Sequence, residues 1–223
     1  MNNPGIQPLG WPWEKVQGLH RQTWQEPSGS LVSFASRLKL EGKAKVYDLG
    51  CGIGRHTVYL ARQGFHVYAS DVSREGLRET ELWLDREGLE ARVLCADLAS
   101  IPFKDRSFDA VVAVNVIYHA YRSGVEACLN EVSRVLAPNG LFYLTFNSTL
   151  SEDFGKGRKV DENTYVKEGG IEDGIPHYYV DKDELERLMG SFELLRFSHQ
   201  EDWLRELGRD GREAHWGVWA RRR

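Results

Sequence analysis

The segment VYDLGCGIGRHTVYLA, residues 46–61, constrains this chain more than any other. An apolar run ends at Asp48 and Leu49. It passes into glycines on alternate positions, Gly50, Gly52 and Gly54, and then into helical spacing. Glycines in such a turn let the backbone adopt left-handed conformations and let another group approach closely. A short apolar strand, a tight glycine turn and a helix make one strand–helix unit, and the chain repeats it.

Helical spacing of Leu31, Phe34 and Leu38 precedes the unit, and KVYDL is its strand. HTVYLARQG is a helix closed by Gly64, a suitable residue just past a helix end. FHVYAS is a second strand ending at Asp71. REGLRETELWLDREG is a helix with Leu77, Leu82 and Leu84 on its apolar face and Gly88 at its end. ARVLCA is a third strand, running to Asp97. SFDAVVAVNVIYH contains a near-continuously apolar fourth strand, as a central parallel strand requires. EACLNEVSRVL is helical, APNG is a turn, and LFYLTF is a fifth strand. FELLRFSHQ and EAHWGVWARR alternate with period two and form a final antiparallel pair. The expectation is an α/β fold: a doubly wound, Rossmann-like, seven-stranded sheet, mostly parallel with an antiparallel last strand.

Two segments stand outside this alternation. Residues 1–29 hold four of the seven prolines and three of the seven tryptophans, Trp11, Trp13 and Trp24. A short helix over 12–20 fits, with Pro12 in its first turn. Aromatics this dense must bury, so 1–29 is expected to be a strap or a lid on the domain of residues 30–223. The second segment, 147–179, is polar and glycine-rich and too long for a structureless loop. It is read as a substrate-covering insertion with room for a short hairpin.

The glycine loop disfavours two ligand classes. A triphosphate-binding loop needs Lys-Ser/Thr after its last glycine, and Arg55-His56-Thr57 stands there. A dinucleotide loop needs G-x-G-x-x-G, and the third glycine falls on Arg55 or Thr57 in the two registers. Asp48, two residues before Gly50, would repel a pyrophosphate. It suits a ligand whose near end is cationic and phosphate-free. S-adenosylmethionine (SAM), with an ammonium and a sulfonium, has that chemistry.

DLGCGIGR resembles motif I of the class I SAM-dependent methyltransferases. Its continuation GRHTVYLARQGFHVYASDVS is similar to the tellurite-resistance-type and general small-molecule branch. The likeness runs from about residue 45 to residue 146. It implies that Asp48, Gly50, Gly52, Gly54 and Arg55 seat the methionine end of SAM. It implies that Asp71, with Val72 beside it, takes the ribose hydroxyls, and that Asp97 and Leu98 meet the adenine. Asn115 to His119 follow the fourth strand, where the family sets residues against methionine and substrate. All these stations are carboxyl ends of strands, where open α/β sheets bind ligands.

The expected activity is methyl transfer from SAM, with S-adenosylhomocysteine as product, to a small-molecule acceptor. The candidate catalytic side chains are His119, Tyr118 and, in GIPHYY, His177. A histidine base suits a neutral acceptor that must lose a proton. The N/D-P-P-Y/F signature of amino-group methylation on bases or glutamine is absent; NVIY stands in that place. A SAM-binding module without turnover is the alternative. The net charge of −4 gives no electrostatic case for nucleic acid or an anionic membrane. No apolar run approaches the ~20 residues of a membrane span, and no secretory leader pattern opens the chain. A cytoplasmic monomer or homodimer is expected. Cys51, Cys95 and Cys128 form no CxxC pair, so neither a disulfide framework nor a metal site is indicated; all three read as core-filling thiols.

Overall fold

A computed structural model describes residues 11–15, 24–203 and 212–223. Helices α1 (Gly29–Leu40), α2 (Arg55–Arg62), α3 (Arg74–Glu87), α4 (Arg122–Val135) and α5 (Lys182–Leu188) are interleaved with strands. Strands β1 (Lys45–Leu49), β2 (His66–Asp71), β3 (Ala91–Cys95), β4 (Phe108–Ala113) and β5 (Leu136–Ser148) lie parallel in the order β3-β2-β1-β4-β5. Strand β10 (Arg212–Arg222) runs antiparallel to β5 and to β9 (Phe192–Trp203). The order reverses between β1 and β4, which makes that point the switch of the sheet.

Side-chain alternation explains why both faces are covered. Tyr47, Val111, Ala113, Phe142 and Leu144 point to one core, with Val125, Cys128, Leu129 and Val132 of α4 packed on it. Their neighbours Val46, Ala110, Val112, Leu141 and Tyr143 point to the other core, under Leu31, Phe34, Ala35 and Leu38 of α1. A period of two on the strands meets a period near 3.6 on the helices. Side-chain caps set the starts of three helices. Ser28 Oγ accepts from Leu31 N, Ser73 Oγ from Gly76 N, and Asp181 Oδ1 from Glu184 N.

Several expectations are corrected. Among the described residues the sheet has ten strands, not seven. The seven expected ones form its body, and the insertion adds β6 (Arg158–Lys159), β7 (Thr164–Val166) and β8 (Pro176–Val180) as an antiparallel meander. APNG is drawn into β5 as an irregularity opposite Phe108–Ala110, with Asn139 at φ 59. Leu82 faces solvent. Cys51 and Cys128 are buried, but Cys95, at the end of β3, is exposed. Of the helix expected over 12–20, Trp13–Lys15 is one 3-10 turn, and 16–20 lies outside the described residues.

Strand β8 positions the site. Strand β5 outruns β4, so β10 covers one edge of Asn147 and β8 takes the other, pairing Tyr179 with Asn147 and Val180 with Ser148. Tyr178 N donates to Tyr118 O at 2.9 Å. The insertion is thereby laid against the segment that follows β4.

Candidate active site

The glycine loop is fastened to the end of β2. Gly50 N and Cys51 N donate to Ser70 O at 2.8 and 2.9 Å. Gly52 N donates to Asp71 Oδ2 at 2.8 Å, and Ser73 N to Asp71 Oδ1 at 2.8 Å. Gly50, Gly52 and Gly54 all have positive φ, at 73°, 55° and 91°, where an L side chain is strained. Space forbids one as well. A Cβ on Gly50 would lie 2.7 Å from Val116 Cβ and nearer still to Cγ2; one on Gly52 would strike the Trp13 ring; one on Gly54 would lie 2.8 Å from Thr80 Oγ1. Thr80 Oγ1 in turn donates to Gly52 O at 2.9 Å.

Asp48 is buried beneath this loop and accepts a hydrogen bond from Thr57 Oγ1 at 2.6 Å. Burial pushes its carboxyl up to about 7, against the pull of the Thr57 hydrogen bond and of Arg55. Burial also raises Asp71, which its three backbone N–H contacts, at Ser73, Gly52 and Val72, oppose. The Arg55 guanidinium sits 4.4 Å from the Trp24 ring centroid, a cation–π contact. Among the described residues it has no carboxylate within ion-pair distance. Val72 is half-buried beside Asp71. Asp97 closes the turn after β3, with Oδ1 accepting from Ala99 N at 2.8 Å. Leu98 packs on the core from that turn.

Asn115 stands at φ 56, a conformation asparagine tolerates. Its N–H donates to Thr145 Oγ1 at 2.8 Å, and that hydroxyl donates to Asn115 Oδ1 at 3.0 Å. The turn brings Val116 over Gly50 and carries the chain to Tyr118 and His119. These two rings meet at 4.6 Å, and His119 meets His177 at 4.8 Å. His177 Nε2 lies 3.3 Å from Glu172 Oε1, and its Nδ1 lies 3.4 Å from Asn147 Nδ2. Burial drives the His119 pKa well down, helped by the charges of His177, His215 and Lys167. Burial likewise raises Tyr118, so its phenol stays protonated. For Glu172, burial works upward, but nearby His177 and Lys167 outweigh it and leave the carboxyl lowered.

The site divides into two ends. One gathers Asp48, Gly50, Gly52, Gly54 and Asp71, with Asp97 at the next strand end. The other gathers Tyr118, His119 and His177. The N-terminal tryptophans span both: Trp13 on Gly52, Trp24 on Arg55, and Trp11 stacked on His119 at 5.4 Å. Surface clefts lie elsewhere, one of them bounded by Arg122, Asp181, Glu184 and Arg187. Sequence reading missed Glu172, Val116, Thr57 and Thr145. Nothing distinguishes Glu172 from the other acids of the insertion until β8 is paired.

This fold and this arrangement of strand ends define a class I SAM-dependent methyltransferase architecture. Residues 47–144 match the family model described as a methyltransferase domain. Methyltransferase GfsG of Streptomyces halstedii is 36% identical over 138 residues, 56% of this chain and 49% of GfsG. A SAM-dependent methyltransferase of Methanosarcina mazei superposes with a TM-score of 0.73 at 20% identity, over 88% of this chain and 98% of that one. TehB of Haemophilus influenzae superposes with a TM-score of 0.68 at 18% identity, over 88% of this chain and 63% of TehB. The chain spans about half the length, or less, of the curated relatives it matches.

The residues at these strand ends fit SAM as a cofactor. The glycines let Val116, Trp13 and Thr80 close onto the loop, which fixes the backbone that the methionine end would meet. Asp71 accepts backbone N–H groups on both oxygens, and the roughly four lone-pair sites of a carboxylate leave room for a ribose hydroxyl.

Proposed function

We propose that this protein transfers the methyl group of SAM to a small-molecule acceptor. The observation that carries the reading is the coupling of Gly52 N–H to Asp71 Oδ2. One carboxylate there both shapes the glycine cradle and stands ready for the ribose. Asp48, Gly50, Gly52, Gly54, Arg55 and Asn115 would hold the methionine end, Asp71 and Val72 the ribose, and Asp97 and Leu98 the adenine. When bound, the cofactor supplies an electrophilic methyl on a sulfonium that leaves as a neutral thioether.

The chain's own task is alignment, exclusion of water and preparation of the acceptor atom. Tyr118, His119 and His177 are the side chains proposed to face the acceptor. Tyr118 and His177 are buried, and the insertion packs over them, which favours a molecule small enough to be enclosed. Among the described residues no helix is long and apolar enough to cross a membrane. A SAM-binding module without turnover would share the cofactor end; the buried polar cluster at the other end favours the enzyme. Calorimetric titration with SAM and S-adenosylhomocysteine, then labelled-methyl transfer to a panel of alcohols, phenols, thiols and amines, tests the proposal. NADH binding with no response to SAM would sink it.

Two further outcomes are expected. Asp48 should be largely protonated in the empty site near pH 6 and ionised above its pKa of about 7. An ammonium favours the ionised form, so SAM affinity should rise about fivefold between about pH 6 and pH 7. Asp48→Asn should flatten that rise, and an unaltered slope in the variant would remove Asp48 from the cofactor's charge. Residues 1–29 are proposed to act as a lid through Trp13. Trp13→Ala should speed SAM dissociation about tenfold or more in stopped-flow fluorescence, a loss of about 1.4 kcal/mol. An unchanged off-rate would leave the segment a strap only.

A further inference from the structure

We propose that His119, Glu172 and His177 form a site for a divalent transition-metal ion of the zinc or ferrous type, which would bind the acceptor's hydroxyl or thiol. This rests on the methyl-transfer reading for its use, though not for the metal itself.

The three side chains arrive from separate segments: the turn after β4, the loop before β8, and β8. One ligand atom from each lies within 4.8 Å of the others. Ligands bonded at about 2.1 Å to a tetrahedral ion stand about 3.4 Å apart, so each atom need move inward by no more than roughly 0.8 Å. Rotamer adjustment of a loop glutamate and two imidazoles covers such a shift.

The independent mark is His177. The side chain is buried, and its Nε2 has no hydrogen-bond partner among the described residues. That nitrogen nevertheless lies 3.3 Å from Glu172 Oε1. Buried polar atoms are seldom left in this state without an ion or water to satisfy them. A cation between the two would satisfy both. On the far side of the ring, the Asn147 amide lies 3.4 Å from Nδ1. Presented through its Oδ1, that amide accepts the Nδ1–H and leaves the Nε2 lone pair for a metal, the outer-shell arrangement metal-bound histidines use.

The remaining surroundings agree. Trp11 and Tyr118 wall the His119 ring, which limits access of water. Two imidazoles and one carboxylate leave coordination positions open, as catalytic rather than structural metal sites do. The cysteine pattern argues against a thiolate site; this donor set contains no thiolate.

The chemistry follows directly. Coordination to the ion lowers the pKa of an acceptor O–H or S–H, whose proton passes to solvent. The freed lone pair forms the bond to the methyl carbon while the methyl–sulfur bond breaks. Its electrons remain on sulfur, and S-adenosylhomocysteine leaves neutral.

The test uses the full chain, freed of metal by a chelator and titrated with cobalt(II). One equivalent should bind with the visible d–d bands of a low-coordinate nitrogen and oxygen site, and zinc should displace it. Glu172→Gln and His177→Ala should each weaken cobalt binding about 100-fold or more, with SAM affinity unchanged by calorimetry. His66→Ala, at an exposed histidine of β2, should leave the bands as they are. Absence of the bands in the parent protein, or identical bands in both ligand variants, overturns the site. Failure of the parent to bind SAM would instead overturn the methyl-transfer reading, and the cobalt result would stand apart from it.

Discussion

Gly50→Ala is expected to cost about 2–4 kcal/mol of stability and to lower SAM affinity at least about 100-fold. Two costs combine. The residue stands at φ 73, and its new methyl would lie within 2.7 Å of Val116 Cβ. Val116 is β-branched and stiff, so the loop must yield. Yielding shifts Gly52, whose N–H is aligned on Asp71. Gly42 separates the two costs. It has φ 64 with nothing within 4 Å of its Cβ position, so Gly42→Ala carries the backbone strain alone, about 1 kcal/mol. Thermal unfolding should fall by about 5–15 °C for Gly50→Ala and by only about 2–4 °C for Gly42→Ala. Equal shifts, with SAM binding retained by both, would mean that the crowding at Gly50 has no consequence.

Asp71→Ala should weaken SAM by about 3–5 kcal/mol, or roughly 10²–10⁴ in Kd. The variant loses a charged acceptor for two hydroxyls. It also leaves the N–H groups of Gly52 and Ser73 without their partner. Asp71→Asn keeps one carbonyl oxygen and should weaken binding by about tenfold. Binding of SAM by the alanine variant within threefold of the parent would remove Asp71 from the ribose. A ligand without vicinal hydroxyls offers a second reading: its affinity should respond to Asp71→Ala only through the loop, about tenfold.

The cofactor end was legible because its signals are local. Asp48, Gly50, Gly52 and Gly54 fall within seven residues, and positive φ with a crowded Cβ position permits no other residue type. Asp71 and Asp97 follow from counting strands, since each parallel strand must end on the same side of the sheet. The reading went astray where a strand's partner, not its own sequence, decided. Strands β6 and β7 are too short to show a period, β8 is buried along its whole length and shows no alternation, and APNG joined the β5 ladder because Phe108 and Ala110 lie opposite it. Cys95 looked apolar in context but ends β3, at the edge of the sheet.

The acceptor end depended on tertiary structure. His119 and His177 were visible as candidates, 58 residues apart, with nothing in the chain to join them. Their meeting follows from β5 outrunning β4, which exposes a ladder edge at Asn147 that β8 fills. Glu172 enters only as a consequence of that docking, beside His177. The sequence by itself determined the strand ends and the glycine loop to which the donor site is assigned, because backbone strain and strand alternation act over a few residues. Only the folded sheet decided that Tyr118, His119 and His177 meet, because strand pairing brings together residues that the chain keeps far apart.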